Sequence, residues 1–429
     1  MAWLKIKKKT DAETAASLPP SFTRLWLASG VSYLGDGIYL SALPLLAASL
    51  TTDPFTLSLV TSAAVIPWLL FGLLGGALVD RWDRRRTMMT ADLVRALALM
   101  LLPLSALLWH ISLPVLIGVA FSLGTAQIFF DSASTAYLRQ LLDGDVDLIQ
   151  RALARNLGAQ TTLSQFIGPP LGSALFALAR TVPYVLNALS YVGSALFIRT
   201  LPQQPVDTTA AKGPLWRGAK EGALFVLRNR VLLSSTLRFM IGNVAFMAGE
   251  AVLVLFAHQC LHLGKFGFGV LLTAQAVGGL AGAGLARTIG TRLGTGGALI
   301  FTAAVEGVAQ LGLGLSSNAV FGAVALALTG TAMSATMVIA PSVSMAIVPA
   351  QLTGRVSATR RLGSLGAAPL GAAMGGWLGS AVGLRAPFIF GAALLFVVTA
   401  LTAVMAPSRE IEAALAAAQV EQQPEPVSA

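Results

Sequence analysis

The sequence predicts an all-helical membrane protein built from two bundles of six spans, and three observations predict it. Only 11% of the 429 residues are charged and 55% are hydrophobic, whereas a soluble domain needs about 25% charged residues to face water. Apolar runs of about 20 residues, the length that crosses a bilayer as a helix, recur along the whole chain. One polar connector, residues 202–233, divides those runs into six and six. Backbone polar groups in hydrocarbon must bond internally, so runs of this length are helices; barrel strands would read as alternating segments of about ten residues.

In chain order, residues 1–23 begin basic and turn polar, with no apolar core followed by a small-residue cleavage site, and are expected to form a cytosolic tail. The first bundle, 24–201, takes spans 24–50, 57–79, 88–110, 112–136, 157–179 and 182–201. The second, 234–406, takes spans 234–260, 266–288, 297–316, 318–342, 358–383 and 386–406. Inside the connector, KEGALFVLRN reads as a short amphipathic helix along the cytosolic face. Residues 407–429 form a second cytosolic tail, ending in EQQPEPVSA, which has the composition of a disordered segment.

The net charge of +10 raises the question of a nucleic-acid partner, and its distribution argues against one. With the spans alternated from a cytosolic N-terminus, 25 of the 29 Lys and Arg fall on the cytosolic side. Arg180, Lys265 and Arg385 fall outside, and Arg95 lies within the third span. Short basic loops stay inside, so the basic excess records orientation. A GxxxxGK[ST] loop is missing, which leaves no nucleotide partner. The single Cys260 allows no internal disulfide, and His110, His258 and His262 lack metal-ligand spacing. No metal or other cofactor is expected.

The two halves resemble each other. GLLGGALVDRWDRR at 72–85 aligns with GLAGAGLARTIGTR at 279–292, PPLGSA at 169–174 with APLGAA at 368–373, and ARNLG at 154–158 with TRRLG at 359–363, at offsets of 207, 199 and 205 residues. Three matches at nearly one spacing point to parallel six-helix repeats with a site between them.

GALVDRWDRRR, residues 76–86, resembles the loop between helices two and three of the major facilitator superfamily. Gly76, Leu78, Asp80, Arg81, Arg84 and Arg85 match its pattern, and Asp83 replaces the second glycine as in a bacterial exporter subgroup that holds macrolide-efflux proteins and the enterobactin exporter. FTRLWLASGVSYLGDGIYLSALPLL at 22–46 and VPAQLTGRVSATRRLGSLGAAPLGAAMGG at 348–376 extend the resemblance through most of the chain. It implies a bacterial inner-membrane transporter with both termini cytosolic, whose two bundles rock about a midplane site. It also implies that Asp80 latches the cytosolic ends by meeting the helix that begins near Thr359, Arg360 and Arg361, with Arg81, Arg84, Arg85 and Arg86 as topological anchors or gate. SQFIGPPLGSALF at 164–176 is similar to an exporter motif of helix five, matched at Gly168, Pro169 and Gly172, with Ser164 and Ser173 in place of glycines. The arginine that many drug:proton antiporters carry in helix four is missing from LPVLIGVAFSLGTAQIFF.

Charged side chains near the bilayer centre cost about 2.5–3.5 kcal/mol each on insertion scales, so they face a cavity or a partner. Asp36 stands midway along span one, Glu250 along span seven and Glu306 along span nine. Spans one and seven are equivalent in the two halves, which makes Asp36 and Glu250 the expected proton-coupling or cation-binding pair. Glu306 sits on a helix expected at the periphery. Asp131 is divided between cavity and capping roles, and Asp92 is expected to join the charges of the loop. Tyr33, Tyr39 and Phe246 are the aromatic candidates for cargo contact. Together these imply a small amphiphilic organic substrate exported against protons. An importer or uniporter in the same fold would want a cavity rich in Asn, Gln and aromatics, where these spans are mostly Ala, Gly, Leu and Val. A non-transporting receptor or flippase-like scaffold is the alternative of another class.

Overall fold

The computed structural model describes residues 18–79, 81–204, 215–348, 352–405, 407–410 and 412–413. Every regular element among them is a helix. In order these are α1 (Pro20–Leu50), α2 (Pro54–Val79), α3 (Arg84–Leu108), α4 (Leu113–Leu141), α5 (Val146–Gln160), a π-helical turn (Thr161–Ile167), α6 (Gly168–Leu178) and α7 (Val182–Arg199). Then follow α8 (Leu215–Arg228), α9 (Arg230–Glu250), α10 (Leu253–Gln259), α11 (Lys265–Leu315), α12 (Ala319–Ile347), α13 (Thr353–Ala381) and α14 (Ala386–Met405). Eight of the described helices are long and apolar enough to cross a membrane.

Three boundaries depart from the sequence expectation, each for a local reason. The fifth run starts about ten residues early because Asp145 caps α5, accepting from Asp147 N at 2.9 Å and Leu148 N at 3.0 Å. It then passes through the π turn before Pro169 and Pro170. Each proline lacks an N–H and crowds the carbonyl four residues back, and the wider π turn absorbs that conflict. The seventh run breaks at Ala251–Val252, the C-cap of α9 and the N-cap of α10, where Val252 is drawn out to φ −113°, ψ −2°. The eighth and ninth runs form a single helical stretch folded at Gly294, whose φ of 69° a side chain would resist. Glu412 fastens that corner by accepting from Thr295 N at 2.5 Å and Gly296 N at 3.2 Å. The connector helix is present as α8; its Val226 is buried with Leu232, Val348 and Val356.

The internal repeat is visible in the packing. A side chain at Gly172 of α6 would strike Ile38 O of α1, and one at Gly371 of α13 would strike Val244 O of α9. Gly75 of α2 presses on Ile128 of α4, and Gly282 of α11 on Thr331 of α12. Equivalent small residues thus let equivalent helix pairs approach closely, to backbone contact at Gly172, Gly371 and Gly282.

Two ends of the molecule can be told apart. At the basic end, near residues 81–86, 142–145, 200–204 and 221–230, the buried apolar clusters belong to one half each: Phe22, Leu25, Met88 and Ile198 in the first, Val231, Ala286, Ala298 and Ile339 in the second. At the far end a single cluster joins both halves, running from Leu46, Leu57 and Tyr184 to Phe256, Phe268 and Phe388. There α2 meets α13, with Gly376 against Ser58 and Gly379 against Pro54, and α6 meets α11, with Gly269 against Pro169 and Ser173. Ser380 Oγ donates to Asp53 Oδ1 across the halves at 2.9 Å.

Candidate functional site

In the first half the buried charges form one network. Arg95 of α3 and Asp92, one turn before it, are 1% and 0% exposed and share a close hydrogen-bonded ion pair. The other guanidinium arm donates to Gln127 Oε1 of α4 at 2.5 Å, and Gln127 Nε2 donates to Asp131 Oδ1 at 2.9 Å. Arg95 is also stacked over Phe130 and Tyr191, 4.4 Å and 4.3 Å from their ring centres. Tyr191 of α7 donates its hydroxyl to Asp36 Oδ1 of α1 at 2.5 Å. One arginine on α3 therefore binds α1, α4 and α7 together, and Asp36 lies within its electrostatic reach. Tyr33, one turn before Asp36, lies within reach of both Asp36 and Asp131. Asp92 joins Arg95, and not the loop charges as its position suggested. Tyr39 faces the apolar cluster, its ring edge-on to Tyr184 at 6.5 Å, and its buried hydroxyl has no hydrogen-bond partner among the described residues.

The second half is arranged differently. A pocket of about 90 Å³ between α9, α11, α12, α13 and α14 is lined by Arg238, Asn243, Phe246, Glu306, Thr336 and Arg360, with apolar walls. Arg238 lies eight residues inside α9; it donates closely to Leu299 O and, at 3.5 Å, to Thr336 Oγ1. Glu306 is within its electrostatic reach and has no hydrogen bond to any described residue in the same pocket. Asn243 is held by Ser364, through its backbone oxygen at 2.9 Å and its hydroxyl at 2.8 Å. Glu250 ends α9 at the break, with no hydrogen bond or ion pair to a described residue.

Asp36 and Glu250 lie on equivalent helices but not at equivalent positions along them. Since Ile38 corresponds to Val244, Asp36 corresponds to Gly242, next to Asn243. Glu250 stands about two helical turns further on, roughly 12 Å along the axis. Within the second half the acid that faces an arginine is Glu306.

At the basic end the loop charges tie helix ends within the first half. Arg84 donates to Gln140 at the end of α4, Arg85 to Arg199 O at the end of α7 at 2.7 Å, and Asp83 caps α3 by accepting from Arg86 N at 3.0 Å. A cation at a helix C-terminus is favoured by the aligned peptide dipoles. Arg81 and Trp82 are exposed at the loop, and Trp82 stacks on Phe129 at 5.8 Å. Asp80, the expected latch, lies outside the described residues. The helix-five motif is a contact seam: Gly168 lies backbone to backbone against Gly37, beside Asp36, and Ser41 Oγ donates to Pro169 O at 2.8 Å.

The residues missed in the sequence are Arg95, Gln127, Tyr191 and Arg238. A signal existed for Arg95, because an arginine within an apolar run needs a partner and Asp92 is three residues away. None existed for Tyr191, whose contact with Asp36 spans 155 residues.

Comparison with known proteins agrees with this architecture. The family described as transmembrane secretion effector matches residues 15–429. The multidrug efflux pump Tap of Mycolicibacterium fortuitum is 27% identical over 364 residues, covering 83% of this chain and 88% of Tap. The putative bacilysin exporter BacE of Bacillus subtilis is 27% identical over 276 residues, 62% of this chain and 66% of BacE. Among solved structures, a bacterial homologue of the iron transporter ferroportin in an inward-facing state superposes with a TM-score of 0.73 at 14% identity, covering 91% of this chain and 99% of that one. The nucleoside transporter NupG superposes with a TM-score of 0.62 at 16% identity, covering 90% and 98%.

Proposed function

The chain belongs to the transmembrane secretion effectors of the major facilitator superfamily, membrane transporters and not enzymes, and from that premise we propose that it is a proton-driven exporter of small amphiphilic organic compounds. The efflux pumps among its relatives support the outward direction. The reading takes twelve spans, with α11 supplying two on either side of Gly294 and the α5–α6 run supplying one. Both termini lie in the cytosol of a bacterial plasma membrane, as the positive-inside rule asks of the basic end. On that orientation the described conformation is closed toward the outside, where the halves share one apolar cluster, and parted toward the cytosol. Asp80, in the loop at that parted end, would then latch the halves on closure. Antibiotics, secondary metabolites or siderophores fit the apolar walls and scattered charges.

The observation that carries the coupling is the pair of buried acid–arginine sets, Asp36 with Arg95 and Glu306 with Arg238. An acid facing an arginine in hydrocarbon can exchange a proton for a cargo group without leaving a naked charge. No cofactor is needed, since the gradient supplies the energy.

The test is transport in proteoliposomes with an imposed pH gradient, using compounds to which overexpressing cells become resistant. Gradient-dependent accumulation is expected. Accumulation that ignores the gradient would leave a uniporter.

A further inference from the structure

A second groove lies in the first half. It has a volume of about 790 Å³ and runs between α3 and α4, away from the Asp36 network. Its walls are apolar or hydroxylic: Ala91 and Val94 of α3 face Phe121, Thr125 and Phe129 of α4. At its basic end stand Arg81, Trp82, Asp83 and Arg86. Asp83 is engaged with α3, as its cap and as the 3.8 Å partner of Arg86. Arg81 has no partner among the described residues, so the mouth is net positive.

The groove opens toward lipid. Val94, which lines it, is 43% exposed, and the same face of α3 continues through Leu97, Leu101, Leu104 and Leu108, all exposed, with Leu97 at 70%. A helix face of unbroken exposed aliphatics faces acyl chains. From Arg86 to Val94 the groove extends about 12 Å along α3, close to the roughly 15 Å depth of one leaflet of hydrocarbon. Trp82 stands at the mouth, where amphipathic rings sit at headgroup level.

We propose that this groove is a binding site for one anionic phospholipid, with its phosphate on Arg81 and Arg86 and an acyl chain between α3 and α4. Basic residues at the headgroup level attract anionic lipid strongly, and the apolar walls convert that attraction into a site. The loop that carries Arg81 and Arg86 also binds the ends of α4 and α7 through Arg84 and Arg85. A lipid there would therefore act on the gate side of the first half. The site stands whichever way transport runs.

Native mass spectrometry of the full-length protein tests it, with phosphatidylglycerol titrated against phosphatidylcholine of the same chains. The wild type is expected to bind one phosphatidylglycerol about tenfold more tightly than Arg81→Gln/Arg86→Gln, with no difference for phosphatidylcholine. Arg81→Lys/Arg86→Lys should keep most of the binding. Val94→Trp, which narrows the groove between α3 and α4 and keeps both arginines, should weaken it distinctly. Equal phosphatidylglycerol binding by the Gln double variant and the wild type would overturn the proposal. So would full binding by Val94→Trp, which would mean a diffuse surface attraction. If an exported compound shields Val94→Cys from maleimide in lipid-free protein and phosphatidylglycerol does not, the groove belongs to cargo and the lipid assignment fails. Arg81 and Arg86 are exposed, and thermal unfolding of each variant checks that it folds.

Discussion

The two halves place opposite charges on equivalent helices. In the first half the acid is on the first helix of the bundle and the arginine on the third; in the second the arginine is on the first helix and the acid on the third. Asp36 and Arg95 occupy the former, Arg238 and Glu306 the latter. The surroundings differ as well. Arg95 is enclosed by a carboxylate, an amide and two aromatic rings, whereas Glu306 faces a pocket with Arg238 beside it and no hydrogen bond to a described residue. A charge held on several sides by other helices keeps those helices in place. An acid at a pocket wall is free to change partner. On the proposed reading, the first half is the fixed body and the second the half that loads.

The largest effect should come from breaking the fixed body. Arg95→Met leaves Asp36 and Asp92 buried without their cation, a defect that destabilises by about 3–5 kcal/mol when a buried pair loses one partner. Arg238→Met should do distinctly less, because Glu306 borders a cavity that can hydrate it. Thermal unfolding in detergent measures both. Equal losses would erase the distinction between the halves.

A second experiment separates holding from loading. Glu306→Gln keeps the shape of the pocket and removes its proton site, so the protein should remain in the membrane with gradient-dependent export reduced at least tenfold. Asp36→Asn should lower export and also weaken the protein, since the Tyr191 hydroxyl then meets a neutral amide and Arg95 loses a nearby anion. Transport against pH, set beside yield and unfolding temperature, distinguishes the two. If Glu306→Gln exports normally with unchanged pH dependence, loading lies elsewhere and Glu250 becomes the next acid to replace.

Much of this could be read from sequence, for reasons particular residues make plain. Span positions followed from apolar runs that only a bilayer explains. The repeat was legible because backbone contact admits only small residues, and Gly172 and Gly371 proved to make the same contact in each half. Charge positions inside spans were legible too, but their partners were not. Asp36 and Tyr191 meet only once α1 and α7 are packed, and composition has no record of that. The two-turn offset between Asp36 and Glu250 was not legible either, because matching equivalent helices does not match their register. The π turn at Thr161–Ile167 was legible only in part: the two prolines announced a kink, not its form.

If one half holds and the other loads, their junction must open at small expense, and the far end offers a place to measure it. Ser380 reaches from α13 to Asp53, which sits in the loop before α2 and also accepts from Thr56 N at 2.9 Å and from the Thr56 hydroxyl. These donors, the Thr56 hydroxyl foremost, hold the Asp53 carboxyl below its ordinary range. A carboxylate so lowered contributes stability above its unfolded pKa and loses it as pH falls through the folded value. The far-end closure should therefore slacken only in acid, below the ordinary carboxylate range, and be steady near neutral pH. Ser380→Ala removes the link across the halves and leaves the α2 cap intact. It should favour the outward-open form about two- to threefold, the scale of one partly exposed hydrogen bond, read as faster labelling of the native Cys260, which packs against the far-end cluster. Asp53→Asn should shift the balance slightly more, because it weakens the cap as well. Labelling rates unchanged by Ser380→Ala would mean that apolar packing of α2 on α13 alone sets the junction.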